Sequence, residues 1–232
     1  MEVKKNLESI LDRIELACRR AGRSPSSVTL IGVGKTMPAE KIRQAATAGL
    51  KHIGENYVQE AREKKALLAD MDLTWHFIGH LQTNKAKAAV EIFDWIQTVD
   101  RIELAKKIDR AVSSLRNKPL PVLIEVNIGN EPTKSGVPPE NLENFYDDLL
   151  AFDGLVVKGL MVIPPYFENP EQVRPFFRKT RELLDRLRLR SRTPENLTEL
   201  SMGMSHDFEV AIEEGATMVR IGTALFGERK VS

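Results

Sequence analysis

Short apolar runs rich in β-branched residues alternate with helical patterns along almost the whole chain, and this alternation restricts the fold more than any other feature. Residues 28–34, VTLIGVG, form the first run, which is typical of a strand buried on both faces of a parallel sheet. Further strand candidates begin at residues 51, 75, 95, 121, 155, 197 and 218. Pro38 opens the first of the helical patterns that follow the strands, and the others cover roughly 56–69, 82–90, 101–116, 139–151, 170–188 and 206–214.

Eight strand candidates, with a helical pattern after each of the first seven, predict a closed α/β barrel. Strands that alternate with helices pair in parallel through crossover connections, and a (β/α)₈ barrel typically has ~250 residues. We therefore expect a single (β/α)₈ TIM-type barrel domain over residues 1–232. An amphipathic pattern at residues 2–20 predicts an extra N-terminal helix, which could supply the eighth helix. An open doubly wound sheet is the alternative, but it usually has only about five or six strands.

Composition argues against several classes of protein. Lys and Arg number 34 and Asp and Glu number 33, so the net charge of +1 gives no global electrostatic case for nucleic acid or a membrane surface. The single cysteine, Cys18, rules out an intrachain disulfide and favours a reducing compartment. No apolar run approaches the ~20 residues of a membrane span, and the N-terminus lacks the apolar region of a signal peptide. We expect a globular protein of a reducing compartment such as the cytoplasm.

Lys35 is the first residue that suggests chemistry. The segment GVGKT at 32–36 resembles the end of a phosphate-binding P-loop, but Thr29 stands where that motif needs its first glycine. Lys35 instead ends an apolar strand and is expected at the mouth of the barrel. A desolvated lysine amine is the nucleophile that forms Schiff bases. The alternative is a strand-end lysine that extends its charge into solvent.

The segment 201–227 suggests an anion site. Ser205 stands where an N-cap belongs, and Gly222 and Thr223 follow the eighth strand, so a hydroxyl and free backbone N–H groups are expected to meet there. Barrels of this kind often bind phosphate after strands 7 and 8. Arg220 alternates with apolar neighbours and is expected inside the barrel, where it needs an acceptor. A plain N-cap at Ser205 and an internal salt bridge at Arg220 are the alternatives.

Other polar residues are expected at the same mouth. Asn56 ends the second strand and either binds a ligand or caps the next helix. His76 and His80 straddle a strand end, so the four-residue helical spacing of metal ligands does not apply, and we predict no metal site. Lys134 lies on the long loop 129–139; it is either a solvated charge or a second amine that assists release of a ligand.

Several segments, taken together and in order, resemble one family. They are VGKT at 33–36, GENYVQE at 54–60, WHFIGHLQTNK at 75–85, VNI and KSG within 126–136, GLM with IPP at 159–165, and the SMGMS to TALFG region at 201–227. They are similar to the pyridoxal-phosphate homeostasis proteins, single-domain relatives of the alanine racemase barrel. Gly34 departs from the pattern, because many members of the family have Ser directly before the lysine.

The resemblance implies pyridoxal 5′-phosphate held on Lys35 as an internal aldimine. It implies a phosphate site formed by Ser205 with the backbone of Gly222 and Thr223, and it puts Arg220 beside the pyridine nitrogen. It further implies a carrier or buffer for this cofactor, without robust turnover, that passes the cofactor to apo-enzymes.

A weak amino-acid racemase is the alternative function. Racemases of this barrel type also have a second, β-rich domain, which we do not expect in these 232 residues. Tyr57 and Tyr166 are the tyrosines expected near the mouth, and either is a candidate base. Because the racemase dimer interface depends on the second domain, we expect a monomer.

Overall fold

The computed structural model of the chain describes residues 2–228, and at its centre is a closed barrel in which each strand pairs in parallel with its neighbours in sequence. The strands are β1 (Thr29–Val33), β2 (His52–Glu55), β3 (Thr74–Phe77), β4 (Trp95–Val99), β5 (Leu120–Val126), β6 (Leu155–Val162), β7 (Glu199–Met204) and β8 (Met218–Ile221). Pairing of Ile31 with Arg220 joins β1 to β8 and closes the barrel. The predicted (β/α)₈ barrel is confirmed, and the open sheet is wrong.

Helices surround the barrel. They are α1 (Glu2–Arg20), α2 (Ala39–Thr47), α3 (Val58–Leu67), α4 (Ala86–Ile92), α5 (Ile102–Leu115), α6 (Leu142–Leu149), α7 (Arg174–Arg190), α8 (Phe208–Glu213) and α9 (Thr223–Phe226). Within the described residues, the short α9 is the one helix after β8, and α1 packs against α2, α8 and α9. The N-terminal helix therefore takes the place of an eighth long helix. Among residues 2–228, no helix is both long and apolar enough to span a bilayer.

Apolar side chains form two layers of core. The larger one lies between the strands and the helices, and α1 contributes its apolar stripe to it, Cys18 included. The smaller one is a plug inside the barrel, made by Ile31, Leu123, Met161 and Met218. Because side chains two residues apart share a face of a strand, Glu125 and Arg220 follow the plug toward the carboxyl ends of β5 and β8. The barrel interior thus changes from apolar to polar as it approaches its mouth.

Candidate functional site

Lys35 lies in the turn directly after β1, where it is half-buried at the mouth of the barrel. Its Nζ stands 5.4 Å from the centroid of the Tyr57 ring, a cation–π arrangement. The next residue, Thr36, has φ +62°, a left-handed conformation that is uncommon for a residue with a branched side chain. The turn therefore needs support from its surroundings.

Side chains from α3 supply that support on both sides of Lys35. The Lys64 ammonium donates to the carbonyl oxygen of Gly34 at 2.6 Å. The carboxylate of Glu60 accepts the N–H of Thr36 at 2.7 Å and also pairs with Lys64 at 2.6 Å. We call these two residues, together with Glu55, the α3 clamp. Through these bonds the clamp holds the peptide groups that precede and follow Lys35.

Glu55 completes the α3 clamp from the end of β2. Its side chain is fully buried, and one carboxylate oxygen accepts from Lys64 at 2.7 Å. Burial raises the pKa of Glu55 to about 7, and the neighbouring Lys64 charge acts in the opposite direction. A Cβ on Gly34 would come within 2.6 Å of the same carboxyl group, so the glycine in this chain leaves room for Glu55. The sequence analysis missed this clamp, although the spacing of Glu60 and Lys64 by four residues on one helix was a visible signal.

Ser205 does not cap α8, contrary to the prediction. The helix begins later, with Asp207 at the cap position, because the Asp207 carboxylate accepts the N–H of Met204 at 2.6 Å and closes a turn before it. Ser205 lies within that turn, and its Oγ accepts the N–H of Ala224 in α9 at 3.3 Å. The hydroxyl thus belongs to the start of α9, after the eighth strand, instead of the helix after the seventh.

Gly222 and Thr223 form the start of α9 at the strand end next to Lys35. Gly222 occupies the cap position, and a Cβ built on it would lie 3.5 Å from Cβ of Val33 at the end of β1. The first backbone N–H groups of a helix have no partner within the helix. Ser205 and this helix start therefore present a hydroxyl and N–H donors close to the Lys35 turn. The structure brings the Ser205 hydroxyl to the start of α9, and the binding of an anion there stays a prediction.

Arg220 is buried inside the barrel, as predicted from its alternation. Its Nη1 donates to Ser201 Oγ at 2.7 Å, and its Nη2 donates to the carbonyl oxygen of Val162 at 2.8 Å. Burial lowers the pKa of Arg220 to about 10, and the charges of Asp207 and Glu125 act in the opposite direction, so the guanidinium stays charged at pH 7. Within residues 2–228 no carboxylate lies in salt-bridge distance of it, so the alternative of an internal salt bridge is wrong.

Asn56 lies at the mouth and lines a cavity of about 240 Å³ together with His80, Glu125 and Lys134. It does not cap α3, because Tyr57 occupies the cap position of that helix. The capping role is therefore wrong, and the binding of a ligand by Asn56 stays a prediction.

Glu125 is a functional candidate that the sequence analysis did not single out. Its side chain is 9% exposed, and one carboxyl oxygen has no hydrogen-bond partner among the described residues. Burial, and secondarily the charge of Asp100, raises the pKa of Glu125 to about 7. Lys134, on the same cavity, pairs with Glu131 at 2.6 Å instead. An unpartnered buried carboxyl group at the mouth is typical of a site that a ligand completes.

Comparison with known proteins shows which family the chain belongs to. A protein-family model described as the alanine racemase N-terminal domain matches residues 6–230. The pyridoxal phosphate homeostasis protein of Aquifex aeolicus is 53% identical over 230 residues, which cover 99% of this chain and 100% of that protein. The protein of the same name from Pseudomonas aeruginosa is 45% identical over 229 residues, covering 98% of this chain and 96% of its own length.

Solved structures agree with these matches. PipY of Synechococcus elongatus PCC7942, with pyridoxal phosphate (PLP) bound, aligns at a TM-score of 0.82 and 42% identity over 94% of this chain and 100% of PipY. An alanine racemase of Clostridium difficile aligns at a TM-score of 0.70 and 16% identity, over 98% of this chain but 57% of the racemase, and shares the fold alone. The chain therefore belongs to the pyridoxal phosphate homeostasis proteins, within the family of the alanine racemase N-terminal domain.

Proposed function

We propose that the chain binds pyridoxal 5′-phosphate reversibly at the barrel mouth and acts as a carrier and buffer of this cofactor in the cell. The observation that carries the proposal is the convergence of three strand ends. Lys35 follows β1, the start of α9 after β8 lies against Val33 at the end of β1, and the Ser205 hydroxyl after β7 contacts α9. The PLP-bound structure of PipY, at 42% identity, supports the identity of the ligand.

The residues at the mouth fit each chemical group of the cofactor. Bound pyridoxal 5′-phosphate supplies an aldehyde that condenses reversibly with a primary amine and a ring that withdraws electrons. Lys35 offers the amine, and the α3 clamp fixes the backbone on either side of it. Ser205, Gly222 and Thr223 offer donors for the phosphate. The unpartnered carboxyl oxygen of Glu125 is a further indication that a bound group completes the mouth.

Arg220 is the residue that we expect beside the pyridine nitrogen of the cofactor. Its guanidinium donates hydrogen bonds and stays charged at pH 7, since burial lowers its pKa only to about 10. A pyridine nitrogen that accepts a hydrogen bond from such a group stays unprotonated, which weakens the electron withdrawal on which most turnover chemistry depends. Because racemases of this barrel type work with the same arrangement, the arginine does not by itself separate a carrier from a racemase. The names of the relatives, which are homeostasis proteins, favour the carrier.

The experiment that tests the proposal is spectroscopic. The purified protein, loaded with pyridoxal 5′-phosphate, is expected to show a visible band that disappears on borohydride reduction. Peptide mass mapping is then expected to find the pyridoxyl-phosphate adduct on Lys35. The Lys35→Ala variant is expected to lose band and adduct, whereas Lys134→Ala, a matched change of another lysine at the mouth, keeps both. Absence of a band in the parent protein, or an adduct only on another lysine, would contradict the proposal.

Delivery of the cofactor has its own test. We propose that apo-enzymes that depend on pyridoxal phosphate are the recipients, that the carrier is a monomer, and that it works in the cytoplasm. An apo-enzyme mixed with the loaded protein is expected to regain activity. If an excess of a small-molecule aldehyde trap abolishes the recovery, the protein buffers the free cofactor and does not hand it over directly.

A weak racemase is the second candidate, because the centroid of the Tyr57 ring lies 5.4 Å from the Lys35 amine and Tyr57 is exposed. That function predicts exchange of the Cα hydrogen of alanine or serine with solvent deuterium. The exchange would be abolished in Lys35→Ala and strongly reduced in Tyr57→Phe. No exchange at high protein concentration counts against this candidate and leaves the carrier.

A further inference from the structure

A continuous series of hydrogen bonds runs through the barrel interior and ends at Arg220. It starts at the first residue of β2, where His52 Nδ1 lies 3.0 Å from His76 Nε2. The other ring nitrogen of His76, Nδ1, lies 3.0 Å from the side-chain nitrogen of Gln97 on β4. From there the series crosses the barrel. The Ser201 hydroxyl on β7 donates to Gln97 Oε1 at 2.7 Å and accepts from Arg220 at 2.7 Å.

The direction of every bond in this series follows from its last member. A guanidinium only donates, so Ser201 accepts from Arg220 and gives its own proton to the Gln97 oxygen. The Gln97 nitrogen then donates to Nδ1 of His76. His76 therefore carries its proton on Nε2 and donates to His52, whose Nδ1 accepts. Each histidine has one defined tautomer, fixed by the arginine at the other end.

Burial makes the order of the bonds stable. His76, Gln97 and Ser201 are fully buried, and His52 is the one member of the series that is partly exposed. Burial lowers the pKa of His76 to about 3 and also lowers that of His52, so both rings are neutral at pH 7. A buried donor or acceptor that loses its partner costs about 1–3 kcal/mol, so the series resists local rearrangement.

We propose that Ser201, Gln97, His76 and His52 are positioning residues that orient the Arg220 guanidinium toward the pyridine nitrogen of the bound cofactor. The inference rests on the proposed function for the identity of the ligand. The bonds to Ser201 and to the carbonyl oxygen of Val162 use one N–H of Nη1 and one of Nη2, so Nε–H and the second N–H of each nitrogen have no partner among the described residues. We call the four residues and Arg220 the polar chain.

Side-chain type supports a dedicated role for the polar chain. The interior of a barrel of this kind is dominated by Val, Ile and Leu, and here the neighbouring plug is made of Ile31, Leu123, Met161 and Met218. A row of His, Gln and Ser next to that plug offers no advantage in packing. It does satisfy a buried arginine and set the direction in which that arginine faces.

The first test uses the protein without cofactor and therefore does not depend on the proposed function. Nitrogen-15 NMR of the imidazole groups is expected to show His76 protonated on Nε2 and unprotonated on Nδ1, and His52 with an unprotonated Nδ1. In Gln97→Met, which removes the amide and keeps the volume, the fixed tautomer of His76 is expected to be lost. The opposite tautomer of His76 in the parent protein would overturn the proposed order of the bonds.

The second test follows the loaded protein. Ser201→Ala and Gln97→Met are expected to weaken binding of pyridoxal 5′-phosphate about 3- to 10-fold, as the loss of one buried hydrogen bond predicts, and to shift the visible band. His52→Phe is expected to shift the band in the parent background but not in Gln97→Met, because the polar chain is already broken there. Thr180→Val, a buried hydroxyl removed from α7, is the matched control and leaves the band unchanged.

These outcomes separate the two proposals. An unchanged band in Ser201→Ala, at full loading of Lys35, overturns the polar chain and keeps the carrier. A shift in His52→Phe that persists in Gln97→Met also overturns it, because the effect would then travel by another route. Failure of the parent protein to form any adduct overturns the carrier, whereas the NMR tautomers still decide whether the polar chain exists.

Discussion

At the scale of single residues, the environment of Lys35 depends on charges buried beneath its turn. The lysine itself was recognisable, because a charge at the end of an apolar strand is unusual. The residues that hold its turn were not recognisable from the sequence. Glu55 and Lys64 lie nine positions apart on different elements and meet only when β2 and α3 pack. Polar pairing of this kind depends on tertiary geometry and has no local signature in a sequence.

Removal of Lys64 tests the α3 clamp. Lys64→Met leaves the Glu55 carboxylate buried without its partner, and such a loss typically costs about 3–5 kcal/mol of unfolding free energy. We also expect slower formation of the adduct on Lys35, because the Gly34 carbonyl loses its donor. Urea unfolding and the rate of appearance of the visible band measure the two effects. The double variant Glu55→Gln, Lys64→Met should recover part of the lost unfolding free energy. If it does not, the unpaired buried charge of Glu55 is not the cause of the loss.

Glu125 predicts a dependence of stability on pH. Its pKa is raised from 4.5 to about 7 in the folded protein, so the folded state binds a proton more tightly than the unfolded chain. The contribution of Glu125 to stability therefore falls as the pH rises from about 4.5 to about 7. Glu125→Gln is expected to be more stable than the parent at pH 8, by at most about 3–4 kcal/mol, and to differ little at pH 4.5.

Thermal unfolding of both proteins at pH 4.5 and pH 8 checks this expectation. The exposed Glu182→Gln on α7 is the matched control and should not change the difference between the two pH values. Equal melting temperatures of Glu125→Gln and the parent at pH 8 would mean that the carboxyl group is not destabilised by burial.

At the scale of elements, the strands and helices were predictable and their ends were not. Each strand was found within a few residues, because alternation of apolar runs and helical faces is a local pattern. The predicted start of α8 was wrong, because a serine before a helical pattern suggests a cap. In the structure Asp207 holds the cap position, and its carboxylate accepts the N–H of Met204. The consequence for the candidate site is small, since Ser205 still contacts the start of α9.

Asp207 therefore has a predicted effect on phosphate recognition. Asp207→Ala frees the Met204 N–H, so the turn that holds Ser205 loses its closing bond. We expect affinity for pyridoxal 5′-phosphate to fall about 5- to 10-fold, the effect of one hydrogen bond, while affinity for pyridoxal, which lacks the phosphate, changes little. Equilibrium titration by absorbance with both ligands gives the ratio of the affinity for pyridoxal 5′-phosphate to the affinity for pyridoxal. Asp207→Asn keeps the accepting oxygen and should retain the parent ratio; equal losses for the two ligands would point to general disruption of the mouth.

At the scale of the whole molecule, closure of the barrel unites residues that are remote in sequence. Val33, two residues before Lys35, and Gly222 become neighbours because β8 pairs with β1. The ring of helices closes differently: up to residue 228 a four-residue helix follows β8, and α1 packs against both α2 and α8. The helix α1, near the start of the chain, thus completes the ring of helices. The site at the mouth depends on the pairing of β1, near the start of the chain, with β8, near its end.

This closure predicts that α1 contributes to the stability of the entire barrel. Leu7 is 2% exposed on the buried face of α1, whereas Leu16 on the same helix is 51% exposed. Leu7→Ala is expected to lower the unfolding free energy by about 2–5 kcal/mol, the usual cost of a cavity in a core, and Leu16→Ala by less than about 0.5 kcal/mol. If α1 is an integral part of the ring, urea unfolding of Leu7→Ala stays a single transition with an unchanged slope and a lower midpoint. A separate early transition, detected at low urea while the barrel stays folded, would show instead that α1 is an appendage that the barrel does not need.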